Sequence, residues 1–232
     1  MPDTIKTAEN NIISPSEQRG NAMIYVLIAL AMFGFLTMTL SRSNNQVDGQ
    51  DIDDERAELY ALELMEYSAS AQAVVEMMLS SGSEIDDLDF VNPTSAAFNT
   101  PPHYHKIYHP QGGGLTYQPT FNEDIHNDVT SVWAINENIS VEWTPNNGVT
   151  SNNDAILTAY FLTRQICEII NDKLTGSAAI PVTTNPHADY FLDTGTTDLD
   201  IAECAACDGY PTLCVENDTN DNYSFYSIIA AQ

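Results

Sequence analysis

The chain has 232 residues, with 7 Lys and Arg against 33 Asp and Glu, a formal net charge of −26 and a sequence pI near 4.1. Lys and Arg supply most of the affinity for a phosphate backbone, so this acidic balance excludes nucleic acid as a partner and disfavours acidic substrates. Hydrophobic residues make up 43% and charged residues only 17%, which is typical of a folded, polar, β-rich protein rather than a disordered tail. The length suffices for one domain with an appendage, or for two small domains.

The first predicted element is an apolar segment between Arg19 and Arg42. Residues 20–41 carry no charge. At about 1.5 Å per residue a helix of this length spans roughly 33 Å, against about 30 Å for the hydrocarbon core of a bilayer. Nearly every face of that helix is apolar, so a buried core helix is the weaker alternative. The segment is therefore predicted to span a membrane.

The basic residues beside this segment do not orient it, because Lys6 and Arg19 precede it and Arg42 and Arg56 follow it. The cysteines favour one orientation. All four lie after the segment, an even number, as expected in a compartment that permits disulfides. We therefore expect the N-terminus in the cytoplasm and the C-terminal part outside it.

The boundary before the apolar segment reads Gln18-Arg19-Gly20-Asn21, whereas its exit lacks the small-residue cleavage pattern of a secretory signal. A polar leader that ends in a basic residue and Gly, directly before a hydrophobic helix, resembles the type IV prepilins and pseudopilins. The helix of that family coincides in register with this chain at Ile24, Ile28, Ala31, Gly34 and Leu36.

The resemblance implies processing and assembly. A prepilin peptidase would cut after Gly20 and methylate Asn21, leaving the helix as an anchor in the inner membrane. The helix would later pack against other pilin or pseudopilin subunits in an extracellular filament. The implied regions are a leader at 1–20, a transmembrane helix at 21–41, an amphipathic helix at 42–82 and an acidic extracytoplasmic head at 83–232.

Two residues depart from the family pattern. Asn21 stands where the family usually has an aromatic first mature residue, and Tyr25 stands where it usually has a glutamate. In major pilins that glutamate is thought to compensate the positive N-terminus of a neighbouring subunit, because an isolated charge in a bilayer is costly. Its absence implies a minor component of a type IV pilus or of a type II secretion pseudopilus. The tight-adherence pilus group, whose members also begin with Arg-Gly and an apolar helix, is a close competitor. The alternative is an unprocessed single-pass surface protein whose acidic ectodomain binds a partner.

A helix is predicted next, because residues 54–79 contain neither Gly nor Pro. Small and apolar side chains recur every three or four residues, at Ala57, Ala61, Leu64, Ser68, Ala71, Val75 and Leu79. Glu63 and Glu66 lie on the opposite face, and Gly82 ends the helix. This amphipathic helix either continues the membrane helix, as in pilins, or stands alone after a flexible linker around Gly49.

The rest of the chain has the short alternating runs of an antiparallel sheet. Strands are predicted at residues 104–108, 115–121, 129–135, 139–143 and 223–230. Residues 154–174 are predicted to form a second helix, which Gly176 ends. The predicted fold is α+β and pilin-like, with a long N-terminal helix, membrane-spanning in its first half and amphipathic in its second. This helix is expected to pack on an antiparallel β-sheet head with an additional helix and a disulfide-tied C-terminal loop.

The cysteines are expected to form two disulfide bonds. Cys167 lies on the buried face of the second helix, and Cys204, Cys207 and Cys214 lie in a turn-rich loop. Spacing does not fix the pairing. We expect Cys167 to reach the loop, and the remaining two loop cysteines not to pair as neighbours in a CxxC motif. Zinc binding and redox activity are weaker interpretations, since no basic residue follows Lys173 to activate a thiol.

Two other groups are candidate metal ligands. His103, His105 and His109 suit zinc or copper, but prolines flank them, and surface histidines on a sheet edge are the preferred interpretation. Weak calcium binding is a further hypothesis for the acidic loops, although neither has EF-hand spacing. The oxygen ligands there are Asp193, Asp198, Asp200, Glu216, Asp218, Asn220, Asp221 and Asn222.

No grouping of residues predicts an enzyme. Gly112–Gly114 lacks the Lys, the Ser or Thr and the following helix of a phosphate-binding loop, and is predicted to be a hairpin connection. No Ser, His and Asp grouping has the setting of a nucleophile elbow. We therefore expect neither catalytic residues nor a metal site, and a structural or binding role.

Overall fold

The computed structural model describes residues 54–118, 132–144, 154–192, 198–217 and 222–231, all of which belong to the compact unit Ile52–Gln232. The predicted leader and membrane-spanning helix lie outside these residues. Among the helices that are described, none is long and apolar enough to cross a membrane.

The described residues form helices and one mixed sheet. The helices are α1 (Asp54–Ser80), α2 (Arg164–Thr175) and α3 (His187–Phe191), and the strands are β1 (Val132–Ile139), β2 (Asp154–Leu162), β3 (Val182–Thr183), β4 (Thr212–Asn217) and β5 (Tyr223–Ala230). The strand order is β1-β2-β5-β4-β3, antiparallel except for the parallel pair β3–β4. The α+β class is confirmed, but a purely antiparallel sheet is wrong. Strand β3 contributes only two residues and does not reach β4 through a hairpin, which would enforce the antiparallel arrangement.

Helix α1 confirms the helix predicted over residues 54–79. Acidic residues in its first turn lie at the positive end of the helix dipole. Gly82, with a φ of 104°, follows its end, and the Ser83 N–H donates to the Met78 carbonyl at 3.1 Å. The buried face consists of Ala57, Ala61, Leu64, Tyr67, Ser68, Ala71, Val75 and Met78. Continuation of α1 into a membrane-spanning half falls outside the described residues and stays a prediction.

The sheet is covered on both faces. Helices α1 and α2 pack on one face, where Leu64 joins Ala159 of β2 and Phe225 of β5 in one apolar cluster. On the other face, the ring of Phe191 in α3 stacks on Tyr226 with 5.7 Å between centroids. Phe225 and Tyr226 are neighbours on β5 and point to opposite faces, as the pleat requires. Two buried faces explain the continuous apolar sequence of the central strands.

Strand β2 shows that the helix predicted over 154–174 is wrong in its first half. Because β2 lies between β1 and β5, its side chains are almost all buried. Periodicity alone does not distinguish such an apolar run from a buried helix. The side chains of Ile156, Thr158 and Tyr160 favour the extended conformation, since β-branched and aromatic residues pack well on a pleated surface.

Helix α2 occupies the second half of the predicted helix. Phe161 has a positive φ of 64° at a register shift close to the end of β2, and the chain then turns into α2. Gly176 ends α2 in the left-handed conformation, with a φ of 75°, and its N–H donates to the Asp172 carbonyl at 2.9 Å. The predicted end of this helix is therefore confirmed.

The remaining strand predictions have mixed outcomes. Strand β5 forms over the predicted residues 223–230. Strand β1 contains residues 132–135 of the strand predicted at 129–135. The strand predicted at 139–143 is wrong beyond Ile139, because Val141 forms only an isolated bridge with Leu199. Residues 129–131 lie outside the described part. Strand β4 was not predicted, because it begins within the cysteine-rich stretch that was assigned to a loop.

The strands predicted at 104–108 and 115–121 do not form in the described residues 88–118, which contain only an isolated bridge between Asp89 and Lys106. Residues 119–121 lie outside the described part.

Lys106 organises the segment 88–118. Its ammonium, on a residue only 4% exposed, donates to the carbonyls of Ala97, Phe98 and Thr100 at 2.5, 3.1 and 2.6 Å. A buried charge is tolerated only with such partners.

The Gly112–Gly114 turn closes this segment onto α1. A side chain at Gly113 would come within 2.5 Å of the Ile107 carbonyl and 2.6 Å of Val74 Cγ1. The glycine is required by this close approach. The hairpin interpretation is wrong, because the described chain has no strand on either side of the turn.

Candidate functional site

The structure brings the four cysteines together in two disulfide bonds. Cys167 of α2 is bonded to Cys214 of β4, which confirms that Cys167 reaches the loop region. Cys204 is bonded to Cys207, so the expectation that these CxxC neighbours do not pair is wrong. The 3₁₀ turn Ala205–Cys207 explains this pairing, since it brings the two Cα atoms to 5.3 Å.

Both disulfides are structural by their position. All four cysteines are buried, at 2% exposure or less. Beside the Cys167–Cys214 bond, the buried amide of Asn171 donates to the Cys214 carbonyl at 2.8 Å and accepts from its N–H at 2.9 Å. The side chain of Asn171 thus pairs with β4 as a neighbouring strand would. The disulfide and this amide together fix α2 on the sheet.

The interpretation of His103, His105 and His109 as histidines on a sheet edge is wrong, because no strand forms over residues 103–109. The rings of His103 and His109 stack on each other with 4.1 Å between centroids, whereas His105 Nδ1 lies 3.0 Å from Ser83 Oγ. Desolvation, and then the neighbouring His103 and Lys106, lower the pKa of His109. No group of three or more His, Cys, Asp or Glu in the described ranges is placed to hold a metal ion.

Two of the candidate calcium ligands have other partners. Asp198 accepts the Ser140 N–H at 2.9 Å, and Asp200 accepts the Glu203 N–H at 2.9 Å. These carboxylates therefore stabilise loop backbone. Asp193, Asp218, Asn220 and Asp221 lie outside the described residues, as do the processing residues Gly20 and Asn21. Calcium binding and processing both stay predictions.

Two polar clusters, one buried and one partly exposed, resemble catalytic groups only in composition. His187 Nδ1 lies 2.8 Å from Ser224 Oγ, but both residues are fully buried between α3 and the sheet. Burial lowers the pKa of His187 to about 4, so the ring is neutral at pH 7. A pair enclosed in this way has no access to a substrate, and it stabilises the fold.

The second cluster centres on the Glu203 carboxylate. It accepts hydrogen bonds from the Thr184 hydroxyl, from Tyr190 Oη at 2.6 Å and from Asn185 Nδ2 at 2.9 Å. The bonds from Thr184 and Tyr190 lower the pKa of Glu203, and burial raises the pKa of Tyr190 to about 12. The ionised Glu203 carboxylate therefore joins Tyr190 of α3 to the loop that contains the Cys204–Cys207 disulfide.

An open groove with a volume of about 730 Å³ lies beside β1. Its lining includes Asp89, Phe90, Tyr108, Tyr117, Trp133 and Glu137. No nucleophile with an adjacent base lies among the described lining residues. The groove therefore does not indicate a reaction.

The solvent face of α1 carries a second apolar stripe, which we call the outer seam. It consists of Leu59, Leu62, Ala69, Ala73 and Met77, all exposed. Leu59 is 63% exposed, and Leu62 and Met77 are each 49% exposed. At about 100° per residue the five positions fall within about a quarter of the helix circumference, opposite the buried face. From the sequence this face is predicted to carry Glu63 and Glu66, and the second apolar repeat that runs past them along the helix is not predicted.

The outer seam is the strongest candidate functional site in the described part of the chain. A helix that is apolar on two opposite faces is normally covered on both, and exposed apolar surface marks interaction sites. Comparisons with protein-family models, with curated proteins and with solved structures found no match to this chain. The functional conclusion therefore rests on the sequence and on this surface.

Proposed function

We propose that the chain is a non-enzymatic, pilin-like structural subunit, a minor component of a type IV pilus or of a type II secretion pseudopilus. In this proposal a prepilin peptidase cuts after Gly20, residues 21–41 anchor the mature chain in the inner membrane, and the head lies outside the cytoplasm.

The observation that carries the proposal is the outer seam on α1. An assembly subunit needs a helix that holds its own head on one face and presents apolar surface to a neighbour on another. Helix α1 has both surfaces, and it follows the uncharged segment 20–41 in the sequence after a short connection. The two disulfides support the placement of the head in an oxidising compartment.

The test is the N-terminus of the chain extracted from membranes of a bacterium that contains a prepilin peptidase. We expect mass spectrometry to find a chain that begins at Asn21 with a methylated amino group. Gly20→Leu should block this cleavage, because a large side chain replaces the residue before the cut. Gly49→Leu, at a glycine outside the cleavage motif, is the matched control and should leave cleavage intact.

An intact Met1 in the wild-type chain would contradict the proposal. It would favour the alternative, a single-pass surface protein that keeps its leader and binds a partner through its acidic ectodomain.

A further inference from the structure

The outer seam is framed by carboxylates. Glu66 lies within the seam itself, between Leu62 and Ala69 on the helix surface, and it is exposed. Four further glutamates of α1 are exposed: Glu55 lies at the N-terminal end of the seam, and Glu58, Glu63 and Glu76 lie along its sides. A partner helix that covers the apolar residues must lie against these charges.

The cations of the described residues are already engaged. Lys106 is buried among three carbonyls, as described above. The other three cations have partners on the surface: Arg56 Nη2 lies 3.4 Å from Tyr60 Oη, Arg164 Nε lies 2.7 Å from Glu168 Oε1, and Lys173 Nζ lies 3.4 Å from Glu58 Oε1. Arg56 is the cation of α1 among the described residues, and its neutral tyrosine partner leaves its charge in place, so α1 offers a second copy one positive charge against five glutamates.

Pairing of two outer seams is disfavoured by these charges. Two copies anchored in one membrane run parallel, so an in-register pair places Glu66 opposite Glu66, and shifted registers bring other glutamates together. Like charges at the centre and edges of a helix pair determine which partners are rejected. The net charge of −26 adds a general repulsion between copies.

We propose that the outer seam binds a helix of a different protein, one with an apolar face bordered by Lys or Arg. Leu59, Leu62 and Met77 supply the apolar contact, and Glu63 and Glu66 select the basic border. The inference rests on the proposed function, which supplies the parallel arrangement of the chains in a membrane. It deepens that function by naming the class of partner, because a subunit that rejects its own copy joins a filament only beside another protein.

The experiment uses the full chain in nanodiscs and two synthetic helical peptides as probes. Both peptides have Leu and Ala on one face; one has Lys at the flanking positions and the other has Glu there. We expect the Lys peptide to bind at least about tenfold more tightly, since a few exposed ion pairs together amount to about one factor of ten. Glu63→Gln with Glu66→Gln should remove most of this preference.

A matched pair of variants separates the seam from the general acidity of the chain. Leu59→Ser with Leu62→Ser should weaken binding of the Lys peptide by about tenfold. Ile201→Ser with Tyr210→Ser removes apolar side chains of 41% and 40% exposure elsewhere and should leave binding unchanged. All four residues are exposed, so both variants are expected to fold.

Equal binding of the two peptides, or equal binding by both double variants, would overturn the inference. A Leu62→Cys chain that crosslinks mainly to a second copy would overturn it as well, because the outer seam would then bind the outer seam of another copy. These outcomes are distinguishable from failure of the proposed function: the Leu59→Ser, Leu62→Ser chain should still be cut after Gly20, since the cleavage site does not include the seam.

Discussion

Replacing Cys167 and Cys214 by alanine is expected to lower the free energy of unfolding of the described unit by about 4 kcal/mol. The bond joins residues 47 apart in sequence, so its loss releases a large loop in the unfolded chain. It also removes both sulfur atoms from the cluster under α1, where Cys167 and Cys214 are fully buried. The measurement is urea unfolding followed by tryptophan fluorescence, with Trp133 and Trp143 as reporters.

The matched control is the double variant Cys204→Ala, Cys207→Ala. This bond joins residues only 3 apart, and the loop-entropy relation gives it about 1.5 kcal/mol. Equal losses for the two double variants would show that the Cys167–Cys214 bond does not fix α2 to β4 as described.

Acidification from pH 7 to pH 4 is expected to destabilise the fold through His187 by about 3 kcal/mol. Burial disfavours the charged imidazolium and lowers the pKa of His187 from 6.5 to about 4. The unfolded chain therefore takes up the proton first as the pH falls below about 6.5. Stability is lost between that value and about 4, and His187 contributes no further loss below it.

The variant His187→Gln isolates this effect, because glutamine can hydrogen-bond to Ser224 but does not titrate. Free energies of unfolding measured at intervals between pH 7 and pH 4 should fall less steeply for the variant than for the wild type. Carboxylates that titrate below about pH 5 contribute in both proteins and cancel in the difference. Parallel curves would mean that the His187 ring becomes charged without unfolding.

The elements that the sequence predicted well are those in which one local signal suffices. Helix α1 has an uninterrupted repeat of small residues at helical spacing, from Ala57 to Val75, and Gly82 to end it. Strand β5 alternates between two apolar clusters, and Gly176 ends α2 because a left-handed residue is needed there. Each of these signals lies within a few residues of the feature that it determines.

The elements that were missed depend on distant parts of the chain. Strand β2 has the apolar content of a buried helix, and its position between β1 and β5 decides in favour of the strand that its β-branched and aromatic residues also favour. The partner of Cys204 depends on a 3₁₀ turn that CxxC spacing does not reveal. Lys106 is recognisable as a structural residue only once the carbonyls of residues 97–100 surround it.

The candidate site was half predicted. The buried face of α1 was identified, but Glu63 and Glu66 suggested that the other face is polar. The second repeat through Leu59, Leu62, Ala69 and Ala73 was visible in the sequence, offset from the first. Its meaning depends on exposure, because only the structure establishes that the sheet covers the first repeat and leaves the second in solvent.

In the proposed function this chain leaves the membrane as a processed subunit with its N-terminal helix intact. Peptide mapping of filaments sheared from cells tests this. We expect peptides that begin at Asn21 and cover residues 21–41, with none from residues 1–20. Filaments that contain residues 1–20 of the chain, or a chain found only in membranes with Met1 in place, would contradict it.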